Sequence, residues 1–463
     1  MLSARSIIDH WHHRHHRHRW AVVSLLGPLG LIYGSLIWND PILERDDLNV
    51  ISKAKGFSDY LELLTTGRSS ELFFLHPILD FTYWLDSRSE SWGSGTFHLT
   101  NLLIWLLALG FAWAILDKIS QKSVPILYPL LCLTGIAVHP VSVASVAWVA
   151  ARKHLLSTTF ILGATWALLK FRDSPPKSLP LVLGFFVAAL VTHPTPLLWP
   201  LWAITLLRVT TGSWEKSWKP ARSLLPCFAL LIFSAGINWQ HYSSSYVATH
   251  STSKILSWIG ASPEHSLLAW GRYAWNLLLP THLAALYYPG SIFNILGTLL
   301  LIPLILLALR VPRAGVWLAL GLVGILPTTL VITNVFVSDT YALLGVFGLG
   351  FALFVLLTEG LQTEPMGLRR VRVLGTLVVL ALSLQSARLA RTWLSDLALW
   401  EHSHRVEPTP RSAAALAAYL IRAGRPEEAL RWVQQLKNWE PGAPELPELF
   451  REMHATGVVV NLE

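Results

Sequence analysis

The stretch HPVSVASVAWVAARKHLL, residues 139–156, decides how this chain is read. It opens on His139-Pro140, a helix-breaking pair, and closes on Arg152, Lys153 and His154 in a row. Apolar runs lie on both sides of it. Cations next to hydrocarbon are expensive unless an anion or water meets them. The segment therefore reads as an outward loop facing a phosphate-bearing lipid, and the rest of the chain as the frame that holds it.

Working outward, the 463 residues are 53% hydrophobic and only 14% charged. A soluble domain carries roughly 25% charged residues. Runs of about 18 or more apolar residues recur as far as residue 388, which predicts an all-α, polytopic helical membrane protein. Its 22 Trp suit interfacial belts as well as packing. The expected spans are Trp20–Trp38, 97–116, 124–138, 155–171, 179–192, 196–208, 223–238, 291–309, 314–333, 341–358 and 373–388, about 11 in all. The run 179–208 is interrupted by His193–Pro196, a helix-terminating HPTP, and reads as two short spans or one broken pair.

Charge orients the chain. Residues 1–19 hold six His and four Arg and form a basic cytoplasmic tail that suits lipid headgroups. The clusters Lys118/Lys122, Lys170–Lys177, Arg208–Arg222, Arg310/Arg313 and Arg369–Arg372 then fall on the cytoplasmic side by the positive-inside rule. The long loops 39–96 and 239–290 fall outside, and so does the C-terminal region. Arg152 and Lys153 break this bias, which demands a local reason. The net charge of +8 is accounted for by cytoplasmic loops and does not imply nucleic acid. Cys132 and Cys227 both lie in apolar runs and suggest no disulfide framework.

The chain divides into the tail 1–19, a transmembrane domain 20–388 and a C-terminal region 389–463. In the last, SAAALAAYLIRAGRPEEALRWVQQLKNWEP, residues 412–441, reads as two amphipathic helices with a turn at Gly424-Arg425-Pro426. Ala413, Leu416, Ala417, Leu420, Ala429, Val433, Leu436 and Pro441 have the spacing of a tetratricopeptide (TPR) repeat. One repeat cannot bury its own face, so a helix over about 444–455, or a partner, is expected to cap it.

The order of local motifs resembles the bacterial relatives of the transmembrane-and-TPR-containing O-mannosyltransferases, which have the GT-C glycosyltransferase architecture. The carriers are Asn39-Asp40 after the first span, His76-Pro77-Ile78, His98-Leu99-Thr100-Asn101, and the central segment with His139-Pro140, Trp148 and Arg152-Lys153. They continue with His193-Pro194, Tyr287-Tyr288-Pro289, Asp339-Thr340-Tyr341 and Trp393–Arg405. The chain also departs from that pattern. An acidic pair is reduced to Asn39-Asp40, Ala144 stands for a Glu, His154 for an acid, His193 for a Lys and Thr340 for an Arg.

The resemblance implies transfer of a sugar from a polyprenyl-phosphate donor to a protein or glycan acceptor at the outer face of a bacterial inner membrane. A base must take the acceptor's proton, and Asp40 is the candidate, with a turn or cap as its bland alternative. The leaving phosphate needs donors and positive charge, for which Arg152 and Lys153 come first, then His139, His193 and Arg272. Snorkelling towards headgroups is the alternative for the Arg-Lys pair. His76, His98, Asp339 and Tyr341 are candidate contacts to sugar or acceptor. No cofactor is required, and the histidines form no compact ligand motif, so no metal is expected. Membrane lipids, the lipid-linked donor and a protein bound by the tail are the expected partners. The lost charges support a second reading, an inactive scaffold of the same architecture. A transporter is a third, weakened by the lack of an internal inverted repeat.

Overall fold

The computed structural model describes residues 25–39, 77–88, 95–120, 124–172, 175–193, 195–232, 263–330, 337–360 and 365–456. Within them every regular element is helical. Asp40, His76, the basic tail, most of the loop 39–96 and residues 239–262 of the second long loop lie outside the described residues.

Helices α1 (Leu25–Asn39), α2 (Pro77–Ser87) and α3 (Gly95–Ile119) come first. Helix α3 is apolar all round and buries Trp105, Ala108, Leu109, Ala112 and Leu116 against the interior. Its opposite side leaves Leu103 and Leu107 more than half exposed. A helix hydrophobic on every face belongs in a core or in lipid, and here it does both.

The decisive stretch is not an outward loop. Residues 139–156 fold as the middle of a broken helix and the start of the next. Helices α4 (Leu127–Ala137) and α5 (Val141–Ala147) meet at a bend of 59°. A 3-10 turn over Val149–Ala151 leads into α6 (Arg152–Lys170). Pro140 cannot donate a backbone hydrogen bond, so the helix breaks there. Four carbonyls in this buried region find side-chain donors. Ser386 Oγ donates to Val138 O (2.7 Å), Asn101 Nδ2 to Val146 O (3.1 Å) and Trp148 O (3.3 Å), and Tyr83 OH to Val149 O (2.9 Å). Irregular backbone at membrane depth survives only when it is satisfied in this way.

Next come α7 (Pro175–Leu190), α8 (Trp199–Thr211), α9 (Trp214–Arg222) and α10 (225–232). The HPTP break therefore separates two short helices, as its prolines predict. Helices α11 (Pro263–Leu278) and α12 (Ile292–Arg310) cross closely at Gly271 and Gly297. A Cβ on Gly297 would collide with the Gly271 carbonyl, the small-residue packing that lets membrane helices approach. Helices α13 (Pro312–Leu318), α14 (Leu320–Leu330), α15 (Leu343–Gly360) and α16 (Pro365–Thr392) complete the bundle.

Among the described residues, four helices are long and apolar enough to cross a membrane, or five if the bent α4–α5 pair is one span. Leu25–Asn39, Leu179–Leu190 and Pro312–Pro327 are shorter apolar helices. On α12 and α16, Leu299, Ile302, Leu309, Leu374, Leu377 and Leu380 are all more than half exposed. Apolar belts of this kind suit lipid and not water, so the architecture fits a helical membrane protein.

The C-terminal region forms α17 (Asp396–Val406), α18 (Pro410–Arg422), α19 (Pro426–Trp439) and α20 (Leu446–Ala455). Thr409 and Ser412 close a capping box at the start of α18. Gly424, with φ of 72°, ends it, and Arg425 N–H donates back to Leu420 O at 2.8 Å. The expected turn is thus in place. Ala413, Ala417, Leu420, Ala429, Val433 and Leu436 pack together, and Leu446, Leu449 and Met453 of α20 cover them.

Candidate functional site

The two buried arginines organise the polar interior. Arg152, fully buried at the start of α6, donates through Nε to Asn101 Oδ1 (2.7 Å), through Nη1 to Thr82 Oγ1 (3.1 Å) and through Nη2 to Phe97 O (2.9 Å). Its Nη2 also lies 2.6 Å from Asp86 Oδ2. The guanidinium carbon sits 4.5 Å from the Tyr83 ring centre and 5.7 Å from that of Phe97. Asp86 accepts a further bond from Thr100 at 2.7 Å. Burial pushes the Asp86 carboxyl above the usual carboxylate range, while Arg152 and Thr100 pull it back.

Arg272 of α11 is held in the same manner. Its Nε donates to Asn276 Oδ1 (3.1 Å), Nη1 to Ser291 Oγ (3.2 Å) and Glu407 Oε2 (3.1 Å), and Nη2 to His282 O (2.7 Å). Tyr287 and Phe293 offer their faces at 4.2 and 5.5 Å. Asn276 Nδ2 passes the network on to Asp339 Oδ1 at 2.8 Å, and Tyr287 OH donates to Asp339 Oδ2 at 2.7 Å. Burial and the neighbouring Asp339 hold the Tyr287 phenol well above its ordinary pKa, so it stays a neutral donor.

Both guanidinium groups are thus spent inside the protein. Neither presents an open fork to a phosphate, because its Nε and both Nη atoms already meet oxygen acceptors. The buried charge of Arg152 is met by Asp86.

His139 is also occupied. Val141 N–H donates to Nδ1 at 3.3 Å, so the ring proton is on Nε2, which donates to Leu277 O at 3.0 Å. This histidine ties the helix break to the end of α11. His98 is buried on α3. Lys153 stands half-buried next to Arg152.

Two other expected residues, His193 and Tyr341, converge, and His154 joins them. His154 and His193 lie with ring centres 4.2 Å apart, and Tyr341 meets His154 edge-on at 4.8 Å and His193 at 6.2 Å. The start of α6, the break after α7 and the turn over Asp339–Ala342 bring them together. Among the described residues no three His, Cys, Asp or Glu side chains gather as a metal-binding group.

Asp86, Asn101, Asn276, Tyr287 and Glu407 were not expected as polar centres. The available signal is physical: a buried arginine demands a carboxylate. Comparison with models of known protein families, with curated proteins and with solved structures finds no match.

Proposed function

We propose that this protein is a membrane-embedded scaffold of the GT-C architecture, which holds a repeat-like helical tail at the outer end of its bundle to dock a protein partner. The observation that carries this reading is the Arg272–Glu407 pair. It joins α11 to the turn that opens the tail, with both side chains buried. His402 Nε2, 3.0 Å from Leu283 O, adds a second tie between the same two regions. In this reading the chain crosses a bacterial inner membrane eleven times, with its N-terminus cytoplasmic and its tail outside. Helices α18 and α19 are the TPR-like hairpin and α20 its cap. The inward-turned arginines and Ala144 in place of an acid support a scaffold over an enzyme.

The test is affinity purification of the full chain after gentle solubilisation. A partner that stays bound, and is lost when the chain is truncated after Pro408, supports docking through the tail. Truncation there keeps Glu407 and so leaves the clamp intact. A protein that runs alone sinks the proposal.

The His154–His193–Tyr341 cluster favours a second reading, sugar transfer from a polyprenyl-phosphate donor. Lys153 and His193 would face the leaving phosphate and Asp40 would be the base, with no cofactor. Turnover of such a donor by the wild type, abolished by Asp40→Asn, supports it. A wild type that turns over none rules it out.

A further inference from the structure

A cavity of about 850 Å³ opens between α4, α12, α15 and α16, lined almost wholly by aliphatic side chains. Helix α16 gives it one face: Arg370, Leu374, Val378 and Leu382 recur at four-residue spacing. At 1.5 Å per residue that face is about 18 Å long. One leaflet of a membrane with a hydrocarbon core of about 30 Å is about 15 Å deep. The groove therefore has the length of a phospholipid tail.

Its two ends differ in charge. At one end stands His139, whose two ring nitrogens are already engaged by Val141 and Leu277. At the other, Arg370 lines the cavity and is exposed. Arg369 and Arg372 adjoin it on α16. Arg310 closes α12 one turn beyond Leu307, which also lines the cavity. Arg313, by contrast, is 3.3 Å from Glu359. A basic mouth on an apolar intramembrane groove is the arrangement that recognises an anionic headgroup.

We infer that this groove binds an anionic phospholipid from the Arg-rich side of the bundle, with its tail along α16 and its headgroup at Arg370. By the positive-inside rule that side is the cytoplasmic leaflet. The site is thus separate from any donor site at the outer face. A zwitterionic phospholipid also offers Arg370 a phosphate, but its ammonium offsets that charge, so it should bind there less well than an anionic one. A polyprenyl phosphate entering from the other end would meet no available cation at His139.

The experiment is native mass spectrometry of the full chain released from nanodiscs of phosphatidylcholine mixed with phosphatidylglycerol. The wild type is expected to retain phosphatidylglycerol preferentially. Arg370→Gln is expected to cut retention about fivefold, as one basic contact near a membrane surface would. Arg222→Gln removes the same charge from α9, away from the groove, and should leave retention unchanged. Val378→Trp, at an exposed position on the groove face, should abolish retention with Arg370 intact. Three results would overturn the inference: equal losses in both arginine variants, equal retention of both phospholipids, or a retained polyprenyl phosphate that ignores Arg370.

Discussion

Arg152 and Arg272 face the same problem and meet it with the same groups. Each is fully buried. Each gives Nε to an asparagine, Nη1 to a hydroxyl and Nη2 to a main-chain carbonyl, and each lies over two aromatic rings. The difference is the source of the carboxylate. Asp86 comes from α2 and closes the bundle upon itself. Glu407 comes from the tail, 135 residues downstream, and joins one region to another. One set of contacts therefore serves as an internal brace in one place and as a coupling in the other.

The strongest way to break the comparison is Arg152→Met. It strands Asp86 in the interior, and removing one partner of a buried pair costs about 3–5 kcal/mol. A large fall in thermal midpoint in detergent is expected, across the whole bundle. An unchanged midpoint would show that the bundle does not rely on the brace.

Glu407→Gln is expected to do less, because Asn276, Ser291 and the His282 carbonyl still hold Arg272. Loss of one bond between charged groups is worth about 2 kcal/mol. The effect should be local: faster proteolysis around residues 393–410, with little change in the unfolding of the bundle. If tail and bundle lose stability together, the second clamp is a brace like the first.

The double variant sharpens the contrast. The two arginines share no hydrogen-bonding partner, so the two losses should add within about 0.5 kcal/mol. A larger coupling in denaturation measurements would mean that the clamps act as one unit.

The smallest effect concerns pH. His404 lies 2.8 Å from Ser412 Oγ and 3.4 Å from Gln435 Nε2, and stacks on Trp439 with ring centres 5.7 Å apart. Burial lowers the pKa of His404, and of His402, below 6.5. The folded tail thus prefers both rings neutral. That contribution is complete above pH 6.5 and is lost as pH falls through 6.5 towards the lower folded values. Hydrogen-exchange protection of residues 404–439, corrected for the intrinsic slowing, should fall between about pH 7.5 and 5.5, and His404→Gln should reduce that difference. Identical protection at both pH values would remove the histidines from the tail's stability.

Part of this was legible in the chain. The tail hairpin follows from the Ala and Leu spacing and from Gly424-Arg425-Pro426, whose chemistry stops one helix and starts the next. The break at His139-Pro140 was visible too, but its setting was not. A run of small and β-branched residues next to three cations reads as a surface loop, yet Val141, Ser142, Val143 and Ser145 are wholly buried. Of the expected site residues, His193 and Tyr341 meet, with His154 beside them, whereas Arg152 and Arg272 turn inward to carboxylates that no local pattern marks.

The sequence by itself determined an all-helical chain with long apolar helices and an amphipathic hairpin at its end. Those features rest on local composition and periodicity, which act within a few turns of helix. Only the tertiary structure decided which carboxylate meets each arginine and which side chains satisfy the broken α4–α5 backbone. Pairing of buried charges joins residues far apart in the chain, and helix packing, not spacing along the sequence, brings them within reach.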